Sequence, residues 1–161
     1  MRVVLDTGPL GRLCHPRTDE HLTRWVAGRY ATDPSFVALV PEVVDYELRR
    51  GYLLKARYEA DPIAREKFQE SINTLEQVLS RFVVTPITLD VWRRAAQLWA
   101  DIRRMGQRTA PDEALDIDVI VASCALLEGA PVLTMDTDFA RFGVELVDIP
   151  QNGEEDQPTP G

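Results

Sequence analysis

The sequence predicts an α/β fold, a three-layer α/β/α sandwich around a short, mainly parallel sheet. Short runs rich in β-branched and aliphatic residues (Val3 to Leu5, Phe36 to Val40, Phe82 to Thr85 with Ile87, Val132 to Met135, Val144 to Val147) alternate with longer segments whose apolar residues recur every three or four positions. Strands this short, with no polar face, suit a parallel sheet covered by helices on both sides. Acids also stand just past two of the runs, Asp6 after Leu5 and Asp136 after Met135. That is the strand-end position where ligands gather in open α/β sheets.

Each element has a local reason. Asp6-Thr7-Gly8-Pro9 ends the first strand, and Pro9 suits the first turn of a helix for which Thr7 is a plausible cap. One or two helical turns over Leu10 to Cys14 stop near Pro16. A helix is expected over Thr18 to Ala31, with Leu22, Trp25, Val26 and Tyr30 on one face. The turn Asp33-Pro34-Ser35 leads to the second strand. Pro41-Glu42 opens a helix carrying Val43, Val44, Leu48, Leu53 and Leu54. Another helix, Pro62 to Arg81, sets Phe68, Ile72, Leu75, Val78 and Leu79 at helical spacing, and the third strand follows it. Thr88 to Arg104 is expected to be helical, with Val91, Trp92, Ala95, Leu98, Trp99 and Ile102 facing inward. The polar segment Met105 to Glu113 reads as a loop. Val119 to Glu128 is apolar except for Ser123 and the final glutamate, as in a buried helix, and Gly129-Ala130-Pro131 breaks it before the fourth strand.

With 161 residues, 45% of them hydrophobic, the chain suits one domain with a sizeable core and shows no internal repeat. We expect residues 1–149 to form that domain and 150–161, acidic and rich in Pro and Gly, to be a disordered tail. A net charge of −8 with a pI of about 4.8 favours solubility and supplies no global attraction to nucleic acid. Binding to RNA or DNA therefore needs a local basic patch or a metal. Arg49, Arg50, Lys55, Arg57, Arg103, Arg104 and Arg108 are candidates for such a rim, or for a solvated helix face. Cys14 and Cys124 form no disulfide framework and no metal-ligand spacing. The N-terminus lacks a signal-peptide pattern, and no run approaches the length of a membrane span. The expectation is a reduced, cytoplasmic protein.

The acids carry the chemistry. Glu47 lies three and four residues beyond Val44 and Val43, on an apolar stripe where a carboxylate is costly unless a partner or metal compensates. It could also pair with Arg49 or Arg50 at the rim of that stripe. Asp116 and Asp118 complement the dipole at a helix start, and Asp116 could cap it outright. Asp118 shares a stripe with Val121, Ala122 and Ala125, so it is the favoured functional acid, with Asp116 a cap or a secondary ligand. Asp6 and Asp136 could each cap a following helix, with Asp138 competing at the second site. Several carboxylates at one sheet edge repel, so some hold protons unless a cation compensates. An all-oxygen set selects Mg²⁺ or Mn²⁺, and the two histidines, His15 and His21, lack zinc-site spacing. Such an ion could activate water at a phosphodiester. Phosphate-binding glycine loops and nucleophile triads are missing, so neither nucleotide-cofactor nor acyl-transfer chemistry is indicated.

On these residues the chain resembles the PIN-domain family, including VapC-like toxin ribonucleases, from V-V-L-D-T-G at Val3 to F-G-V-E-L-V at Phe142. The shared pieces are Asp6-Thr7, Glu47-Leu48-Arg49-Arg50-Gly51, Asp118 through Ala122, and Thr134 to Phe139 with Asp136. Asp116 is an extra acid beside the third motif, and either aspartate could fill that position. The resemblance implies a PIN-like three-layer fold and an endoribonuclease dependent on Mg²⁺ or Mn²⁺. Asp6, Glu47, Asp118 and Asp136 would be its metal-holding catalytic acids, oriented by Thr7 and Thr134. It also implies an RNA substrate, a homodimer and, for toxin members, a protein antitoxin. The alternative is a PIN fold that binds RNA or protein with little catalysis. A phosphatase using Asp6 as nucleophile is disfavoured, because Gly8 stands where its second aspartate belongs.

The residues from Gln151 onward have no aliphatic or aromatic side chain to bury. Truncation there should leave unfolding stability within about 0.5 kcal/mol of the full chain in urea titrations. A cooperative loss of folding would show that the tail docks.

Overall fold

A computed structural model describes residues 1–15, 19–107 and 116–147. The expected tail and the loop leading into the last long helix therefore lie largely outside the described residues.

The chain alternates strand and helix as its apolar runs require. β1 (Arg2–Leu5) leads into α1 (Thr7–Leu13), α2 (Glu20–Thr32) and β2 (Val37–Pro41). The helical hairpin α3 (Glu42–Tyr58) and α4 (Pro62–Leu79) follows, then β3 (Val83–Thr85) and α5 (Leu89–Arg104). Last come α6 (Ile117–Glu128), β4 (Val132–Leu133) and a 3-10 helix, Thr137–Phe142. The four strands are all parallel in the order β3-β2-β1-β4 and, with helices on both faces, form a three-layer α/β/α sandwich.

Register aligns the strand ends. Val4 lies opposite Leu39 on one side and Val132 on the other, and Leu5 lies opposite Leu133. The strand order turns back at β1, because β2 and β3 build outward on one side and β4 joins on the other. Crevices at such switch points open at the carboxyl ends of the strands. β1 ends there at Asp6, β2 runs straight into the helix carrying Glu47, and β4 ends just before Thr134.

The core accounts for the residue types. Val3, Val4, Leu5, Ala38, Leu39, Val40, Val132 and Leu133 are buried in the sheet. In α6, Ile117 and every residue from Val119 to Ala125 are buried, so this helix has no outward apolar/polar division to show. It ends at Gly129, whose φ of 58° is the left-handed conformation that favours glycine at a helix C-terminus. The helix α5 is the opposite case: Val91, Ala95, Leu98 and Ile102 form a buried stripe beside charged neighbours.

Several local expectations are corrected. Asp6, not Thr7, caps α1, its side chain accepting from the Thr7 backbone amide, which releases the Thr7 hydroxyl for a longer-range contact. Asp19 caps α2. β4 covers only Val132–Leu133, because Thr134 bonds to Asp6 and turns the chain. The fifth run forms only a bridge from Leu146 to Val132, held by bonds of 2.8 and 2.9 Å. Trp92 is 43% exposed, and Leu53 and Leu54 are exposed rather than on a buried stripe of α3. On α3, Val43 and Val44 are buried, and Leu48 and Tyr52 pack half-buried against the core.

The energetic consequence is testable. Ile102→Ala should cost about 2–5 kcal/mol, since its buried side chain would leave a cavity. Leu54→Ala, at a side chain 59% exposed, should change stability by less than about 0.5 kcal/mol. Chemical denaturation of both variants checks the pair; equal costs would contradict this packing.

Candidate functional site

The site is assembled from three strand ends and one helix start. Asp6 follows β1, is only 8% exposed, and has both carboxyl oxygens occupied. Oδ1 accepts from the Thr7 amide at 2.6 Å, and Oδ2 accepts from the Thr134 hydroxyl at 2.7 Å. The same Thr134 oxygen accepts from the Asp136 amide at 3.0 Å, so one threonine ties the first acid to the segment carrying the last. The Thr7 hydroxyl donates to Glu47 Oε2 at 2.5 Å, joining α1 to α3. Gly11 permits that approach: a Cβ there would lie 3.1 Å from Leu48 Cδ2.

Asp118 enters from the first turn of α6. Burial pushes its carboxyl up to about 6, with further upward pressure from Asp6, Asp116, Glu47 and Asp136 in that order. Burial also raises Asp6 above its ordinary value; the hydrogen bonds from Thr134 and Thr7 oppose this, and the charges of Glu47 and Asp136 add to it. The four acids nominated from sequence, Asp6, Glu47, Asp118 and Asp136, thus share one electrostatic neighbourhood. Among the described residues no three acidic, histidine or cysteine side chains lie close enough together to enclose an ion. The donor set is nonetheless all carboxylate and hydroxyl oxygen, which suits a hard divalent cation such as Mg²⁺ or Mn²⁺.

Asp116 is placed differently. It caps α6, Oδ1 accepting from the Val119 amide at 3.4 Å, and its other oxygen lies 3.9 Å from Arg103 Nη1. Asp136 both belongs to the cluster and caps the 3-10 helix, accepting from the Asp138 amide at 2.8 Å. Asp138 turns instead to Arg141. Neither cysteine joins the site; burial pushes the Cys14 thiol up to about 12 and the Cys124 thiol up to about 11.

The expected basic rim contracts. Arg49 bridges Asp45 and Glu76, Arg104 pairs with Asp101, and Arg103 is stacked on Trp99 instead of facing water. Arg108 lies outside the described residues. Arg50 sits over the Tyr46 ring and 3.8 Å from Glu47, while Lys55 and Arg57 are exposed farther along α3. Sequence reasoning put Arg103 on the rim with its neighbour Arg104 and did not foresee its burial beside Trp99 and Asp116. The available signal was its position four residues after Trp99, one turn along the same face.

A parallel α/β/α sandwich with acids gathered at its switch point defines a class of oxygen-ligand, strand-end sites. The PIN domain family matches residues 3–145, and the chain belongs to that family. The fold is similar to DNA-bound VapBC from Salmonella typhimurium, at 17% identity and a TM-score of 0.69, covering 92% of this chain and 97% of that one. VapBC-5 of the Mycobacterium tuberculosis toxin–antitoxin systems is 27% identical, with a TM-score of 0.55 and coverage of 86% and 88%. The sarcin-ricin loop cleaving toxin VapC20 of M. tuberculosis is 17% identical, with a TM-score of 0.56 and coverage of 90% and 98%. No curated protein matches the sequence.

The raised Asp118 carboxyl makes stability depend on pH. A folded-state value above the unfolded one favours the protonated native form, so its stabilising contribution is complete below about 4 and is lost as pH rises through about 6. The metal-free protein should lose about 1–3 kcal/mol over that window relative to Asp118→Asn. Parallel urea titrations from pH 4 to 7 measure the difference; identical slopes would mean that Asp118 is not buried among acids.

Proposed function

We propose that this chain is a metal-dependent endoribonuclease, the toxin half of a toxin–antitoxin pair. What supports the reading is that the Asp118 carboxyl feels the charges of Asp6, Glu47 and Asp136 at the carboxyl edge of a parallel sheet, inside a PIN domain. These four would hold Mg²⁺ or Mn²⁺. When bound, the ion activates water for attack on a phosphodiester and stabilises the charge that develops there. Thr134 and Thr7 orient Asp6 and Glu47 through their hydroxyls and leave the remaining carboxylate lone pairs for the ion. Asp118, whose carboxyl is raised by burial, would hold the cation in its deprotonated form, so binding would release a proton.

RNA is the substrate favoured by likeness to the sarcin-ricin loop cleaving toxin, and Arg50, Lys55 and Arg57 along α3 supply local positive charge on an acidic protein. The VapBC neighbours support a protein antitoxin as partner. A homodimer and a cytoplasmic location are proposed on family resemblance; no helix among the described residues is long and apolar enough to cross a membrane.

Mn²⁺ or Mg²⁺ should raise the melting temperature, since an ion that binds only the folded site stabilises it by mass action. Glu47→Gln should largely remove that rise. Against an RNA that the parent cleaves in Mn²⁺, Asp118→Asn should lose about a hundredfold or more in rate with folding retained. Asp116→Asn should keep measurable cleavage, because asparagine caps a helix as well as aspartate does. A parent indifferent to metal would sink the reading, and metal binding without cleavage of any single-stranded or structured RNA would favour the binding-module alternative.

A further inference from the structure

We propose that Tyr46 and Arg50 form a subsite for one unpaired nucleotide of single-stranded RNA, the ring stacking on its base and the guanidinium meeting its phosphate; this rests on the RNA-substrate reading above. Helical spacing brings the two side chains together. Arg50 stands four residues after Tyr46 and three after Glu47, so one guanidinium reaches both along the same side of α3. Its central carbon lies 5.2 Å from the centre of the Tyr46 ring, and its Nη2 lies 3.8 Å from Glu47 Oε1.

Neither contact uses the pair up. Tyr46 is 53% exposed and the Arg50 side chain 52%. At 3.8 Å the ion pair is beyond hydrogen-bond length, and an exposed pair of this kind adds little stability. Arg49, one position earlier, is the contrast: it hydrogen-bonds Asp45 at 2.8 Å and Glu76 at 2.7 Å. The Thr7 hydroxyl holds Glu47 Oε2, so the Arg50 cation stands beside the oxygen that Thr7 does not hold. Leu53 and Arg57 are also exposed and, at seven and eleven residues after Tyr46, continue the same face of the helix.

An exposed ring with cations along one helix face suits a single strand. Every base has a π face to stack on the ring, and guanidinium groups attract phosphates that the net charge of −8 otherwise repels. A base inside a duplex is already stacked on its neighbours, so the subsite selects an unpaired one. A ring–cation contact that only braces α3 would affect stability and be indifferent to whether a bound chain carries bases.

The test compares a fluorescein-labelled oligouridylate of about eight nucleotides with a chain of abasic spacers of equal length and charge. Binding is read by fluorescence anisotropy in EDTA, which withholds the metal for cleavage. The parent should bind the oligouridylate at least about tenfold more tightly than the abasic chain, and Tyr46→Ala should lose about that factor on the oligouridylate alone. Tyr46→Phe, which keeps the ring, should stay near the parent. Arg50→Gln should weaken both chains and lower the slope of log affinity against log salt by about 0.7, the share of one phosphate contact. Tyr46→Ala that binds both chains like the parent overturns the proposal and leaves this face to a protein partner. Equal weakening on both chains also overturns it, because the loss is then not one of base stacking. A parent that binds neither chain overturns this proposal and the RNA reading together, whereas a parent that binds RNA with no dependence on Tyr46 overturns this proposal alone.

Discussion

The hydrogen bond from Thr134 to Asp6 spans 128 positions of sequence and closes the end of β1 onto the end of β4. It gives a buried carboxylate one fixed donor, and the Thr7 amide gives it another. Without such donors, desolvation would drive Asp6 to bind a proton and leave the crevice without an anionic oxygen. The Thr7 hydroxyl makes the matching contact with Glu47 on α3. Two threonine hydroxyls therefore orient one oxygen each of Asp6 and Glu47.

The sheet makes those bonds possible. Parallel pairing in register brings Leu5 level with Leu133, so the residues that follow, Asp6 and Thr134, emerge side by side. Since β1 is the point where strand order turns back, the helices after β1 and β4 diverge and leave room between them. The near-continuous burial of α6 then serves a positional purpose. A helix gripped on so much of its surface cannot rotate, so the direction of Asp118 is set by packing instead of by its own hydrogen bonds.

Charge balance at this edge is local, and the net charge of −8 says little about it. Several of the arginines suggested by sequence are committed to nearby carboxylates or rings, while Lys55 and Arg57 on α3 are exposed along with Arg50. Tyr46 and Arg50 share that face through a ring contact of 5.2 Å, next to Glu47 in sequence. An acidic protein can thus offer positive charge beside its carboxylates over a short length of one helix.

Much of the fold was legible in the residue pattern. Apolar runs of two periods, broken by Gly and Pro, predicted the alternation of strands and helices and hence a covered parallel sheet, because those periods are the geometry of the backbone itself. The nomination of the four acids rests on a related reason: a carboxylate beside a buried strand or on an apolar stripe is costly unless it has a task. The truncated β4, the exposed α3 leucines, the cap at Asp6 and the burial of Arg103 were not legible. Each depends on which distant side chain arrives at the same place, and periodicity carries no information about partners. The choice between Asp116 and Asp118 shows the division. Two acids two residues apart look alike in sequence, and only packing gives them different partners: Asp116 caps α6 beside Arg103, while burial and the charges of Asp6, Asp116, Glu47 and Asp136 raise the Asp118 carboxyl.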